Sequence, residues 1–168
     1  MEGIKKLDEA SKQMNGKTFM LSTPAQRTSL LVALDKEGIA IDYLEQPVGK
    51  SQIEDLANLS GLGLAPIMAD ESIFSMRDLE TIIDKNACTW VNLKILKSGG
   101  IAPARAIADM ALASGLNVSI GSMMEGEQGV QAAALLASTI APGVIHDLDA
   151  AWWHRDSSII YLNGELSL

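Results

Sequence analysis

The chain has 168 residues, 48% of them apolar and 20% charged, a globular composition that excludes a disordered or fibrous protein. Thirteen Lys and Arg against twenty-one Asp and Glu leave a net charge of −8, which argues against nucleic acid or an anionic membrane as partner and favours cations. No apolar run reaches membrane-span length, the start lacks a signal-peptide core, and a single cysteine, Cys88, permits no internal disulfide, so the expected compartment is the cytoplasm.

In chain order, residues 1–22 alternate charge and polarity and hold one brief apolar stretch, Phe19 to Leu21, the relic of a strand at most. Thr23 to Lys36 has helical apolar spacing and opens on a cap residue followed by a first-turn proline. Strand-like runs follow at Ile39 to Leu44, Pro66 to Ala69, Thr89 to Leu93, Asn117 to Ile120 and Gly143 to His146. Helical segments lie between them at Ser51 to Leu59, Ser75 to Asp84, Ala102 to Ala113 and Glu127 to Thr139. Ser51 stands three residues before Glu54, the spacing of a capping box, and Gly38, Gly61 and Gly115 mark helix exits. The tail from Ile159 to Gly164 reads as a short extended piece ending in a turn.

The polar residues that close the strands measure the repeat. Glu45, Asp70, Lys94, Ser122 and Asp147 are separated by 25, 24, 28 and 25 residues. Regular strand-plus-helix units imply parallel strands with right-handed crossovers, and so an open doubly wound sheet or a (β/α) barrel. In both architectures functional groups gather at the carboxyl ends of strands, and a rim of Glu, Asp, Lys and Asp suits the barrel better. A complete barrel takes roughly 250 residues, so this length accommodates only part of one.

The strand ends carry the chemistry. Glu45 and Asp70 are hard oxygen donors on consecutive strands; they suit a divalent cation such as Mg²⁺ or, equally, cap the following helices. Lys94, one unit on, serves as a base if a neighbouring cation and burial lower its pKa; otherwise it snorkels or pairs with Asp70. Lys97-Ser98-Gly99-Gly100-Ile101 precedes a helix and is either an anion-binding amide cluster or a tight turn. Ser122, Met123 and Glu125 set hydroxyl, thioether and carboxylate groups at the next strand end, where methionines line an adaptable pocket or merely pack. Asp147 and Asp149 share a face if the strand continues through them, and such a pair calls for a cation between them; a solvated turn is the alternative. Trp152 and Trp153 read as core packing.

These motifs together resemble the enolase superfamily, and within it the muconate-lactonizing subgroup that includes the L-Ala-D/L-Glu (dipeptide) epimerase-like proteins, from about residue 23 to about residue 164. Tyr43-Leu44-Glu45-Gln46-Pro47 and Ala69-Asp70-Glu71-Ser72 are similar to the fourth- and fifth-strand metal motifs, which makes Glu45 and Asp70 the implied ligands. Asn92-Leu93-Lys94 is similar to the sixth-strand segment whose lysine, here Lys94, is one of two acid/base groups. Gly121 to Glu125 is similar to the seventh-strand segment, with Ser122, Met123 and Glu125 at the substrate, and Asp147-Leu148-Asp149 to the eighth-strand pair that holds a substrate ammonium. The resemblance implies an incomplete TIM-type (β/α) barrel, about strands four to eight, over residues 23–168 and without a capping domain. It implies Mg²⁺-dependent 1,1-proton transfer on a small substrate such as a dipeptide, through an enediolate.

The sequence departs from the family at two points. No Lys-x-Lys motif supplies the opposite-face base, and Gly16 to Met20, where a third ligand is due, contains no carboxylate. The expectation is therefore a weakened Mg²⁺ site and an impaired epimerase acting with a complementary chain or as a homo-oligomer. The alternatives are a non-catalytic oligomeric scaffold, or another reaction of the subgroup, cycloisomerisation or acylamino-acid racemisation.

Overall fold

The computed structural model describes residues 2–36, 43–162 and 165–167. They form two compact units, residues 1–72 with 82–89, and residues 73–81 with 90–168.

The first unit opens with helix α1 (Glu2–Asn15), and the apolar stretch Phe19–Leu21, expected as the relic of a strand at most, is a 3-10 turn. The turn is held by side chains: Asp8 Oδ1 accepts the Phe19 amide at 2.9 Å, and the buried Arg27 donates from Nε to the Phe19 carbonyl at 3.0 Å. Arg27 sits 5.7 Å over the Phe19 ring, and burial pulls its pKa down while Asp55 offsets part of the shift. Helix α2 (Pro24–Lys36) begins as expected: Thr23 Oγ1 accepts the Gln26 amide and Gln26 Oε1 accepts the Thr23 amide, a reciprocal cap.

The strand expected over Ile39 to Leu44 lies mostly outside the described residues, as does Gly38; what is described is β1 (Leu44–Glu45). It pairs in parallel with β2 (Ile67–Ala69), Leu44 opposite Ile67 and Glu45 opposite Met68. All three β2 residues are buried, which accounts for their continuous apolar run. Helix α3 (Ile53–Gly61) connects the two strands. Its cap differs from the expected Ser51/Glu54 box: Gln52 is the N-cap, and its side chain accepts the Gly49 amide and donates to Asp55. Leu56, Leu59, Ile67, Ile82 and Ala87 are core residues of this unit.

Helix α4 (Met76–Asp84) divides between the units. It has the reciprocal cap that α3 lacks: Asp78 Oδ2 accepts the Phe74 and Ser75 amides, and Ser75 Oγ accepts the Asp78 amide.

In the second unit β3 (Trp90–Lys94) and β4 (Asn117–Gly121) pair in parallel over five residues, Asn92 opposite Ser119 and Lys94 opposite Gly121. Between them run α5 (Ile95–Ser98) and α6 (Ile101–Ala113). Gly99 and Gly100, with φ of +84° and +132°, make the corner, and their amides close onto the carbonyls of Leu96 and Ile95. The glycine-rich loop is thus a tight turn in which both glycine amides are already used. Helix α7 (Glu127–Ile140) packs on β4 through Val130, Ala133, Leu136 and Ala137, a stripe at helical spacing. The strand expected over Gly143 to His146 is reduced to one parallel bridge, Gly121 to Asp147. Beyond it, a 3-10 turn (Ala150–Trp153) and the hairpin of β5 (Ile160–Leu162) and β6 (Glu165–Ser167) enclose a small core of Val130, Ala150, Ala151 and Ile159. Trp152 and Trp153, expected in the core, are about two-thirds exposed.

Candidate functional site

In the first unit, Glu45 and Met68 are register partners, and Asp70 follows directly on the end of β2. Glu45 is exposed and Asp70 is buried. Between the two strand ends lies a residue that the sequence reading passed over, Gln46. Its buried side chain accepts the Asp70 and Ser72 amides at 2.9 and 3.2 Å, and donates to Ser72 Oγ at 2.8 Å and the Val48 carbonyl at 3.2 Å. All four amide positions of the side chain are committed. Ser72 Oγ passes the chain on to the Lys50 carbonyl at 2.8 Å. The loop that presents Asp70 is therefore clamped to the end of β1. The signal was its place beside Glu45, in a buried motif.

Two carboxylates fit Mg²⁺, which takes one or two and completes its shell with water or substrate. Among the described residues no group of three or more His, Cys, Asp or Glu gathers to hold an ion.

In the second unit, Lys94 Nζ lies 3.5 Å from Asp147 Oδ2, and Asn92 Nδ2 lies 3.4 Å from the same oxygen. The lysine side chain is 12% exposed and the aspartate 44%. Asp147 is bridged to Gly121, and Gly121 is paired with Lys94 across β3–β4, so the lysine must cross over residue 121 to reach Asp147. Neighbouring strands lie about 4.8 Å apart, and two such steps are within a lysine's reach only over a flat surface. Glycine supplies that surface: a Cβ there would stand 2.5 Å from Asn92 Oδ1 and 2.7 Å from Lys94 Cε.

The remaining sequence candidates have defined places. Ser122 is buried; its amide and hydroxyl both donate to the Asp147 carbonyl, at 2.8 and 3.3 Å. Met123 is half-exposed, and its amide donates to Glu125 Oε1 at 3.0 Å. The Glu125 side chain lies on Gly129, where any Cβ would overlap it. Asp149 does not continue a strand: its φ and ψ of −88° and −4° turn the chain into the 3-10 segment, and the Trp152 amide binds its carbonyl. Its charge, together with burial as the larger cause, raises the Tyr161 pKa against a backbone hydrogen bond that lowers it. The cation at Asp147 is Lys94, while Asp149 faces the hairpin tyrosine. A separate groove of about 350 Å³ lies between α6 and α7, lined by Ile101, Arg105, Ala132, Leu135, Leu136 and Thr139, and includes no candidate residue.

The sequence matches the Enolase C-terminal domain-like family over residues 15–165. It is 34% identical over 130 residues to an L-amino acid-D/L-Glu epimerase of Francisella philomiragia, covering 77% of this chain and 36% of the relative. The structure of a substrate-liganded L-Ala-D/L-Glu epimerase from Bacillus subtilis superposes with a TM-score of 0.79 at 30% identity, over 86% of this chain and 42% of that one. A dipeptide epimerase from Enterococcus faecalis, complexed with Mg and the dipeptide L-Leu-L-Tyr, gives 0.75 at 30% identity, over 85% and 40%. The chain thus spans about two fifths of the proteins it matches, and the shared α/β architecture with parallel strands is that of part of their barrels. With the family match covering most of its length, the chain belongs to the Enolase C-terminal domain-like family of the enolase superfamily, on the side of the dipeptide epimerases.

Proposed function

We propose that this chain carries out the proton-transfer chemistry of a dipeptide epimerase on one face of the substrate, with Lys94 as the acid/base group. The observation that carries this reading is the partly buried Lys94 at the end of β3, held 3.5 Å from an Asp147 carboxylate that keeps an exposed surface. As a neutral amine, Lys94 takes the α-proton onto Nζ; as the ammonium, it returns a proton to the same carbon. Asp147 offers the substrate ammonium a counter-charge. In the first unit Glu45 and Asp70 would hold Mg²⁺, which when bound would supply Lewis-acid charge to a carboxylate. Ser122, Met123, Glu125 and Asp149 are assigned to the substrate side of the same reaction. The sequence has no Lys-x-Lys, so exchange with retention of configuration is the activity expected of these residues alone. Localisation in the cytoplasm is the expectation from a single cysteine, which permits no internal disulfide.

The test is solvent deuterium incorporation at the α-carbon of L-Ala-L-Glu with Mg²⁺ present, followed by NMR. Incorporation that falls about 100-fold or more in Lys94→Ala supports the reading. No incorporation by folded, Mg²⁺-loaded protein overturns it.

A further inference from the structure

Asp147 is not held in place by an ordinary ladder. In parallel pairing, the carbonyl of Ile120 would take the Asp147 amide, and the amide of Ile120 would go to the carbonyl of Ile145. The first bond forms, at 3.1 Å. The second does not: the Ile120 amide donates to His146 Nδ1 at 3.1 Å, and the Ile145 carbonyl accepts Ser119 Oγ at 3.2 Å. On its other side, His146 Nε2 lies 3.1 Å from the Ala141 carbonyl, at the end of α7. A carbonyl cannot donate, so Nε2 carries the proton; Nδ1, which accepts from an amide, is bare. Both contacts demand the same neutral tautomer. A second proton on Nδ1 would face the Ile120 N–H donor to donor.

We propose that His146, as the neutral Nε2–H imidazole, is a positioning residue that stands in for a ladder hydrogen bond and thereby fixes Asp147 beside Lys94 and Asn92. Burial lowers the His146 pKa, with the Ala141 hydrogen bond opposing, which agrees with a ring kept neutral. Neither β4 nor the last turn of α7 carries a titratable side chain, and the charged groups at this strand end are Asp147 and its partner Lys94. The catalytic consequence rests on the reading of Lys94 as the acid/base group, while the positioning is measured without turnover, so the two fail separately.

Imidazole ¹⁵N NMR of the intact chain should show the Nε2–H tautomer at neutral pH. Exchange of the Ile120 amide should accelerate, relative to the β3–β4 ladder amides, as the ring protonates. Acylation of Lys94, read by mass spectrometry at neutral pH, should rise about threefold or more in His146→Leu, to the level of Asp147→Asn, with no further rise in the double variant. His146→Asn, which keeps an acceptor near Nδ1 and does not ionise, should restore slow acylation and remove the acid dependence of Ile120 exchange. An Nδ1–H tautomer overturns the proposal, and so does native-like Lys94 acylation in a folded His146→Leu protein. If the leucine variant does not fold, the tautomer and the asparagine variant decide.

Discussion

Single residues set the geometry of both strand-end clusters, and the decisive ones are not the candidate reactive ones. Glu45, Asp70, Lys94 and Asp147 stand out in the sequence because a polar residue closing an apolar run is visible locally. Gly121 does not stand out, since its necessity comes from Asn92 and Lys94 on the adjacent strand. Gly121→Ala is expected to reduce deuterium incorporation by about 10- to 100-fold, in line with the cost of misplacing a reacting group by about 1 Å. Circular dichroism would confirm retained fold, and unchanged exchange would contradict the clearance argument. Gln46 is marked in the sequence only by its place beside Glu45. Gln46→Leu strips the acceptor from the buried Asp70 and Ser72 amides and is expected to cost at least about 2 kcal/mol in urea unfolding.

At the scale of elements, helix positions were legible and capping was legible in part. Apolar spacing and the Thr23-Pro24 start located α2, α3, α4, α6 and α7 to within a few residues, and α3, α4, α6 and α7 are amphipathic. The caps depended on the loop before each helix. Ser51 and Glu54 have box spacing, yet Gln52 occupies the cap, bound to Gly49, whereas Ser75 and Asp78 form the box at α4. The expected contrast is measurable: Ser75→Ala should lower stability by about 1 kcal/mol, and Ser51→Ala should change it by less than about 0.5 kcal/mol. Equal losses would contradict this assignment. The strand expected over Gly143 to His146 failed for a specific reason. Its β-branched residues fit a strand, but His146 and Ser119 take the backbone partners that a ladder would use.

For the whole molecule, the pH response and ion linkage follow from these groups. The folded His146 pKa lies below its ordinary value of 6.5, so between the two values the unfolded chain binds more protons. Its contribution is complete above 6.5 and is lost as pH falls through the folded value. Urea midpoints should decline with acidification across that window in the native chain, and decline less in His146→Asn. Mg²⁺ at ten times its dissociation constant should stabilise the chain by about 1.4 kcal/mol if Glu45 and Asp70 hold it, and not in Glu45→Gln with Asp70→Asn. Equal stabilisation of both proteins would place the ion elsewhere.

By itself the sequence determined the alternation of strands and helices and the family, and it named the candidate side chains at the strand ends. These follow from local pattern, from a repeat of 24 to 28 residues and from short motifs. Only the tertiary structure decided which partner each group meets: Lys94 over Gly121 to Asp147, Gln46 clamping the Asp70 loop, and His146 in place of a ladder bond. Those contacts join residues 24 to 53 positions apart, through strand register and side-chain reach, and neither quantity is written in the local pattern.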